Sequence, residues 1–190
     1  MTDELYLGRL PDMRRWIDYM EMRKADLTDP EEIAMMTVWI DHVRAEYVLD
    51  LETACVTLTD DGESRHWGGG MPEGGLMSVA ISNDDRRAFY AHAFVVAADV
   101  LPHQEMVTER MVVGKDGIAF DGVLHVISRG EHLSWVGAEL PQDVDPTAYY
   151  LVSRRVSGWN SFKEGKIIGE DRYRDQRVRI ERVTDFPPSG

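Results

Sequence analysis

The sequence predicts a single α+β domain, with helices packed on one face of an antiparallel sheet. Three observations carry that prediction. Apolar residues in the first half recur at steps of 3 and 4, the period of an amphipathic helix. From about residue 105 the chain changes to strand-like segments joined by short turns, and helices followed by a run of strands is an α+β order. The length of 190 residues suits one domain.

Met13, Trp16, Ile17 and Met20 predict a helix over 11–24, with Pro11 in its first turn. Thr28-Asp29-Pro30-Glu31-Glu32 is a start signal with a cap, a proline and early acids. The stripe Ile33, Met36, Ile40, Val43 and Tyr47 continues that second helix. A shorter helix is expected over 49–58, ending in the turn Thr59-Asp60-Asp61-Gly62, with an extended piece at 63–67. Gly68 to Gly75 reads as a flexible flap, because it has neither the Lys-Ser/Thr ending nor the glycine spacing of a phosphate loop. Asn83-Asp84-Asp85 opens a helix running to about Ala98. Strands are expected over 105–113, 118–127, 149–162 and 167–180, and residues 184–190 read as a flexible tail.

Composition excludes several classes of function. Thirty-four acids against 21 lysines and arginines give a net charge of −13, the wrong sign for neutralising nucleic-acid phosphates or docking on an anionic membrane. No apolar run approaches the ~18 residues of a membrane span. The N-terminus, MTDELYLGRLPD, is acidic where a secretory signal is basic and then apolar. The expected location is cytoplasmic. One cysteine, Cys55, rules out an internal disulfide and a multi-cysteine zinc site. Charge is uneven: residues 154–182 hold 9 basic and 5 acidic side chains within an otherwise acidic chain, a pattern that pairs with the chain's own acids, a partner subunit or an outside anion.

Three ordered stretches resemble the SnoaL-like branch of the nuclear transport factor 2-like superfamily. They are Trp39 to Tyr47, leading through Asp50 to Asp60-Asp61 and His66; Arg87-Ala-Phe-Tyr90; and Phe162-Lys-Glu-Gly-Lys-Ile-Ile-Gly-Glu-Asp-Arg-Tyr-Arg-Asp-Gln176. The resemblance covers about 29–183, leaving 1–28 as an N-terminal helical extension. It implies a cone-shaped α+β barrel, in which a curved antiparallel sheet wraps a helix and leaves a pocket, and a homodimer paired through the sheet's outer face. The superfamily includes cyclases, ketosteroid isomerases, epoxide hydrolases, dehydratases and non-enzymatic binding domains, so fold alone does not name a function.

The candidate site is built from few residues. His42 and Glu46 lie four apart on the second helix and share a face; the carboxylate can orient the imidazole and raise its basicity, or the two can be an inconsequential surface pair. His66 follows the Asp60-Asp61 turn, near where the resemblance places an isomerase's catalytic aspartate. A histidine there serves as base or acid near neutral pH, or as a structural group bonded to a carbonyl. In the last strand, parity groups Ile168, Glu170, Arg172 and Arg174 on one face and Ile167, Asp171, Tyr173 and Asp175 on the other. Charges on both faces require a polar cavity on one side, and parity alone does not say which. Asp175 is a candidate acid. Trp39, Arg172, Tyr173, Trp135 and Asn160 are candidate ligand contacts. His42, Glu46 and His66 have the donor types of a metal site, but their spacing demands none, and no metal or cofactor is expected. The resulting reading is a cofactor-free, proton-transferring enzyme acting on a small hydrophobic or cyclic molecule: an isomerase, cyclase, dehydratase or hydrolase. The alternative is a ligand-binding or dimerisation module of the same fold.

Overall fold

The computed structural model describes residues 5–68, 76–80, 83–136 and 143–186. Helix α1, Met13–Ala25, is capped by Asp12, whose carboxylate accepts the Arg14 N–H at 2.9 Å. Pro11 therefore precedes the cap instead of occupying the first turn. Helix α2, Pro30–Val48, begins as expected: Asp29 accepts the Glu31 N–H at 2.8 Å and Pro30 takes the first helical position, where a missing N–H costs nothing. It ends at Leu49 with a φ of 59°. Asp50 then caps the short α3, Leu51–Val56, through the Thr53 N–H.

The expected turn at 59–62 is part of a strand. β1 runs Leu58–Gly68 and pairs in parallel with the last strand, with an irregularity between Leu58 and Glu63 that absorbs the Thr-Asp-Asp-Gly segment. A bulge uses the same turn-forming residues without reversing the chain. β2, Leu76–Ala80, pairs antiparallel with β1, and α4 spans Asn83–Val96. Residues 69–75 of the expected flap lie outside the described residues. The remaining strands are β3 (Gln104–Gly114), β4 (Gly117–Arg129), β5 (Tyr149–Lys163) and β6 (Lys166–Val183), with a 3-10 turn at Gly130–Val136 after β4. The β5–β6 hairpin closes through Glu164 and Gly165, both at positive φ, the conformation of a two-residue turn that matches strand twist.

The six strands lie in the order β2-β1-β6-β5-β4-β3. The sheet is mixed, not purely antiparallel as expected, because β1 runs parallel to β6. That places the charged β6 at the sheet's centre. One face of the sheet covers α2, where Trp39 stacks on Phe120 at 5.2 Å and meets Trp16 edge-on at 6.0 Å. Gly158 on β5 lies so close to Phe120 that a Cβ there would meet its ring at 2.2 Å, so the glycine makes room for the stack.

The N-terminal segment is tied to β3 by Glu105, a buried carboxylate. Both guanidinium nitrogens of Arg9 donate to it at 2.5 Å, and the Asp12 N–H and Arg15 Nε each donate at 3.1 Å. Burial raises the Glu105 carboxyl, but these donors outweigh it and hold the group below its usual value. Glu105→Gln should therefore destabilise the fold by about 2 kcal/mol, toward the low side of a broken buried pair because Arg9 and Arg15 keep access to water. Urea denaturation measures this, and an unchanged midpoint would show that the tie carries no stability. At the other terminus, Phe186 lies within the expected tail over 184–190, of which residues 187–190 lie outside the described residues. It is buried, with its ring against Tyr149 at 4.8 Å and His103 at 4.9 Å. Among the described residues no helix is long and apolar enough to cross a membrane.

Candidate functional site

Between α2, α4 and the inner face of the sheet lies a cavity of about 330 Å3. Its walls are mostly apolar, with Trp39, Phe94, Met106 and Phe120 among them, and its polar groups are His42, Glu46, Tyr90, Gln104, Glu170, Arg172 and Arg174. Few polar groups converging in an apolar concavity is the usual form of a small-molecule site.

His42 is the best-held of these groups. The Thr57 hydroxyl donates to the Ala54 carbonyl at 2.8 Å, so its oxygen is left to accept from His42 Nδ1, also at 2.8 Å. A hydroxyl has one proton to give, which fixes His42 as the tautomer protonated on Nδ1. Its Nε2 is then the acceptor in the neutral ring. That nitrogen faces the Tyr90 hydroxyl at 3.1 Å and Glu46 Oε1 at 3.6 Å. Tyr90 also hydrogen-bonds to the Glu46 carboxyl. With one O–H, it donates to Nε2 or to Glu46, so the three groups share protons along one short path.

Burial is the largest influence on Glu46 and pushes its carboxyl up; Glu170 adds to that, while His42, Arg172 and the Tyr90 hydroxyl oppose it. The net direction is upward. Across the cavity, Arg172 donates to Glu170 at 2.8 Å and lies over the Phe120 ring at 5.0 Å. Burial, then Arg154 and Arg172 as like charges, bring Arg174 down to about 10.

The structure thus places His42, Glu46, Trp39 and Arg172 together on one cavity. His66 sits on β1 in register with Met77 and Arg172; its side chain, like that of Trp135, lies outside the described residues. The inner face of β6 carries Glu170, Arg172 and Arg174. Ile167, grouped by parity with the opposite face, is buried in the core because a bulge shifts the register between Ser161 and Phe162. Tyr173 points away from the cavity, 52% exposed and stacked on Trp67 at 4.5 Å. Asp175 is exposed, accepts the Arg177 N–H at 2.9 Å and belongs to no cavity wall described here. Asn160 is fully buried beside Glu170 in register; neither polar atom of its side chain has a hydrogen-bond partner among the described residues.

Thr57 and Tyr90 were not candidates from sequence. Tyr90 carries a faint signal, since it shares a helical stripe with Phe94 and brings a hydroxyl into an apolar face. Thr57 carries none. Among the described residues no group of three His, Cys, Asp or Glu is placed to hold a metal.

No family model matches the chain, and no curated protein does. Solved structures are similar to it. A SnoaL-like protein from Shewanella putrefaciens CN-32 superposes with a TM-score of 0.56 at 11% identity, covering 83% of this chain and 87% of its own. A second, from Jannaschia sp. CCS1, gives 0.51 at 15% identity over 78% and 90%. The chain has the SnoaL-like, nuclear transport factor 2-like fold. In this α+β cone, α2 carries His42 and Glu46 inward, α4 brings Tyr90 against them, and β6 supplies the arginines from the opposite wall. At such identities the likeness concerns fold, and the chemistry rests on the side chains.

Proposed function

We propose that this protein is a cofactor-free enzyme that moves a proton on a small, largely apolar organic molecule, with His42, Tyr90 and Glu46 as the working groups. The observation that supports this most is the fixed tautomer. His42 Nδ1–H is committed to Thr57, so Nε2 is available beside Tyr90 and Glu46 at the cavity wall. A carboxyl raised by burial next to an imidazole is an acid–base pair whose members differ in environment, as proton shuttling requires. In this reading Glu46 takes a proton from the substrate and returns it at another atom of the product, while the Tyr90 hydroxyl, whose other acceptor is His42 Nε2, donates a hydrogen bond to the developing oxyanion. Arg172, oriented by Glu170, stabilises negative charge opposite them.

Cyclic ketones, lactones and epoxides incubated in D2O and followed by NMR test the proposal. Wild type should exchange, isomerise or open at least one class, and Glu46→Gln and His42→Gln should each lower the rate by about 10²-fold or more. Tyr90→Phe should lower kcat more than it raises KM. His66→Asn is the comparison for the second candidate base. Binding without turnover across the whole panel would favour the binding module instead. The same reading includes a homodimer through the outer sheet face, where Val107, Val112 and Tyr173 are exposed. Light scattering should return twice the chain mass, and a monomer would remove that part.

A further inference from the structure

A second chamber of about 370 Å3 adjoins the first cavity of about 330 Å3, and Ala93, Leu101, Gln104, Leu124 and Val156 border both. Each volume alone lies at the low end of the ~300–1,000 Å3 typical of small-molecule sites. The elements that wall them run without a break from one to the other. On α4, Phe89 and Ala93 border both spaces and Ala97 borders the second alone; steps of four keep these three on one helix face. On β4, Phe120 borders the first cavity, Leu124 both, and Val126 the second. Phe120 to Val126 covers about 20 Å of strand, so the joined space is long and narrow.

The wall of the second chamber is mainly aliphatic, from Val96 and Val100 to Ile127 and Val152. Arg154 and Arg174 also belong to it, and their charges are met inside the protein. Asp175 acts on Arg154, and Arg174 borders the first cavity together with Glu46 and Glu170. Arg129, at the rim, donates to Asp99 at 2.6 Å. What the chamber offers an occupant is therefore removal of aliphatic surface from water.

We propose that the two chambers form one elongated site and that its ligand is a chain-like aliphatic molecule with one polar end. That end lies at His42, Tyr90 and Glu46, and the uncharged tail runs past Ala93 and Leu124 into the second chamber. Placing the polar end rests on the proposed function, to which the tail adds the substrate class.

Calorimetric titration of the full chain with the 2-alkanones from 2-hexanone to 2-undecanone tests it. Wild-type affinity should rise roughly 3-fold per added methylene, the gain from burying each one, with one ligand per chain throughout. Cycloundecanone, which has the carbon count of 2-undecanone in compact form, should bind about 10-fold more weakly than the open chain. Ala97→Phe fills the second chamber alone, so it should hold 2-hexanone within about 2-fold and level the series beyond about 2-octanone. Val96→Phe, on the same chamber, serves if that variant does not fold, and His42→Gln should keep the wild-type slope. A flat wild-type series, no binding, equal affinity for the cyclic ketone, or an unchanged slope in the phenylalanine variant overturns the proposal. Deuterium exchange separates it from the reading it extends. A rising series without exchange on any ketone removes the proton transfer and keeps the elongated site; exchange without a rising series does the reverse.

Discussion

Trp39→Ala should destabilise the protein by about 4 kcal/mol, the range found when a buried tryptophan is truncated in a core that cannot collapse. Trp39 is 1% exposed and touches the sheet through Phe120 and the N-terminal helix through Trp16. Its indole is thus the element that joins α1, α2 and β4. Collapse into the space is opposed by the aromatic neighbours, which are themselves held by the strand register. It also lines the cavity between α2, α4 and the sheet, so the variant should bind bulkier ligands while losing stability. Urea denaturation gives the first quantity. A loss under about 1 kcal/mol would mean that the helices and sheet are joined mainly elsewhere.

Acidification from pH 7 to pH 4 should remove about 3 kcal/mol of stability through His125 alone. Its imidazole is 2% exposed, and Nδ1 lies 2.7 Å from the Ser153 hydroxyl. Burial lowers it from 6.5 to about 4, with Glu105 raising it and Arg9 lowering it as smaller influences. Below pH 6.5 the unfolded chain takes a proton at this residue that the folded chain refuses. The contribution is therefore complete above the unfolded value and falls away as the pH drops from 6.5 to about 4. The drop from 6.5 to about 4 gives the stated energy at ~1.4 kcal/mol per tenfold change in proton affinity, with a remainder lost below pH 4. Glu105 pulls the same way, since a carboxyl held low in the folded state loses its contribution as it protonates. Comparing the pH dependence of His125→Gln and Glu105→Gln separates the two. An unaltered slope between pH 6.5 and pH 4 in His125→Gln would refute the assignment.

Local pattern sufficed for much of the fold. The α2 stripe, its Asp29-Pro30 start and the β5–β6 hairpin were legible because each depends on residues a few positions apart, through helical period, capping and turn chemistry. The Thr59–Gly62 segment misled for the same reason. Its composition reports a local preference for turning, whereas the strand that contains it is set by the pairing of Leu58 and of Glu63 to Gly68 with β6, more than a hundred residues later.

The site divides along the same line. His42 and Glu46 could be placed on one face from their spacing, since a helix turns at a constant rate. The position of Tyr90 depended on how α4 crosses α2, and the tautomer of His42 on a threonine fifteen residues further along the chain. The charges of β6 were evident in the sequence as an anomaly. Which of them face the cavity was decided by register: the strand's central position requires one polar face to be enclosed, and the bulge after Ser161 moves Ile167 to the buried side while Glu170, Arg172 and Arg174 face inward. Alternation records that two faces differ; only the neighbouring strands and helices determine which one is shielded from water.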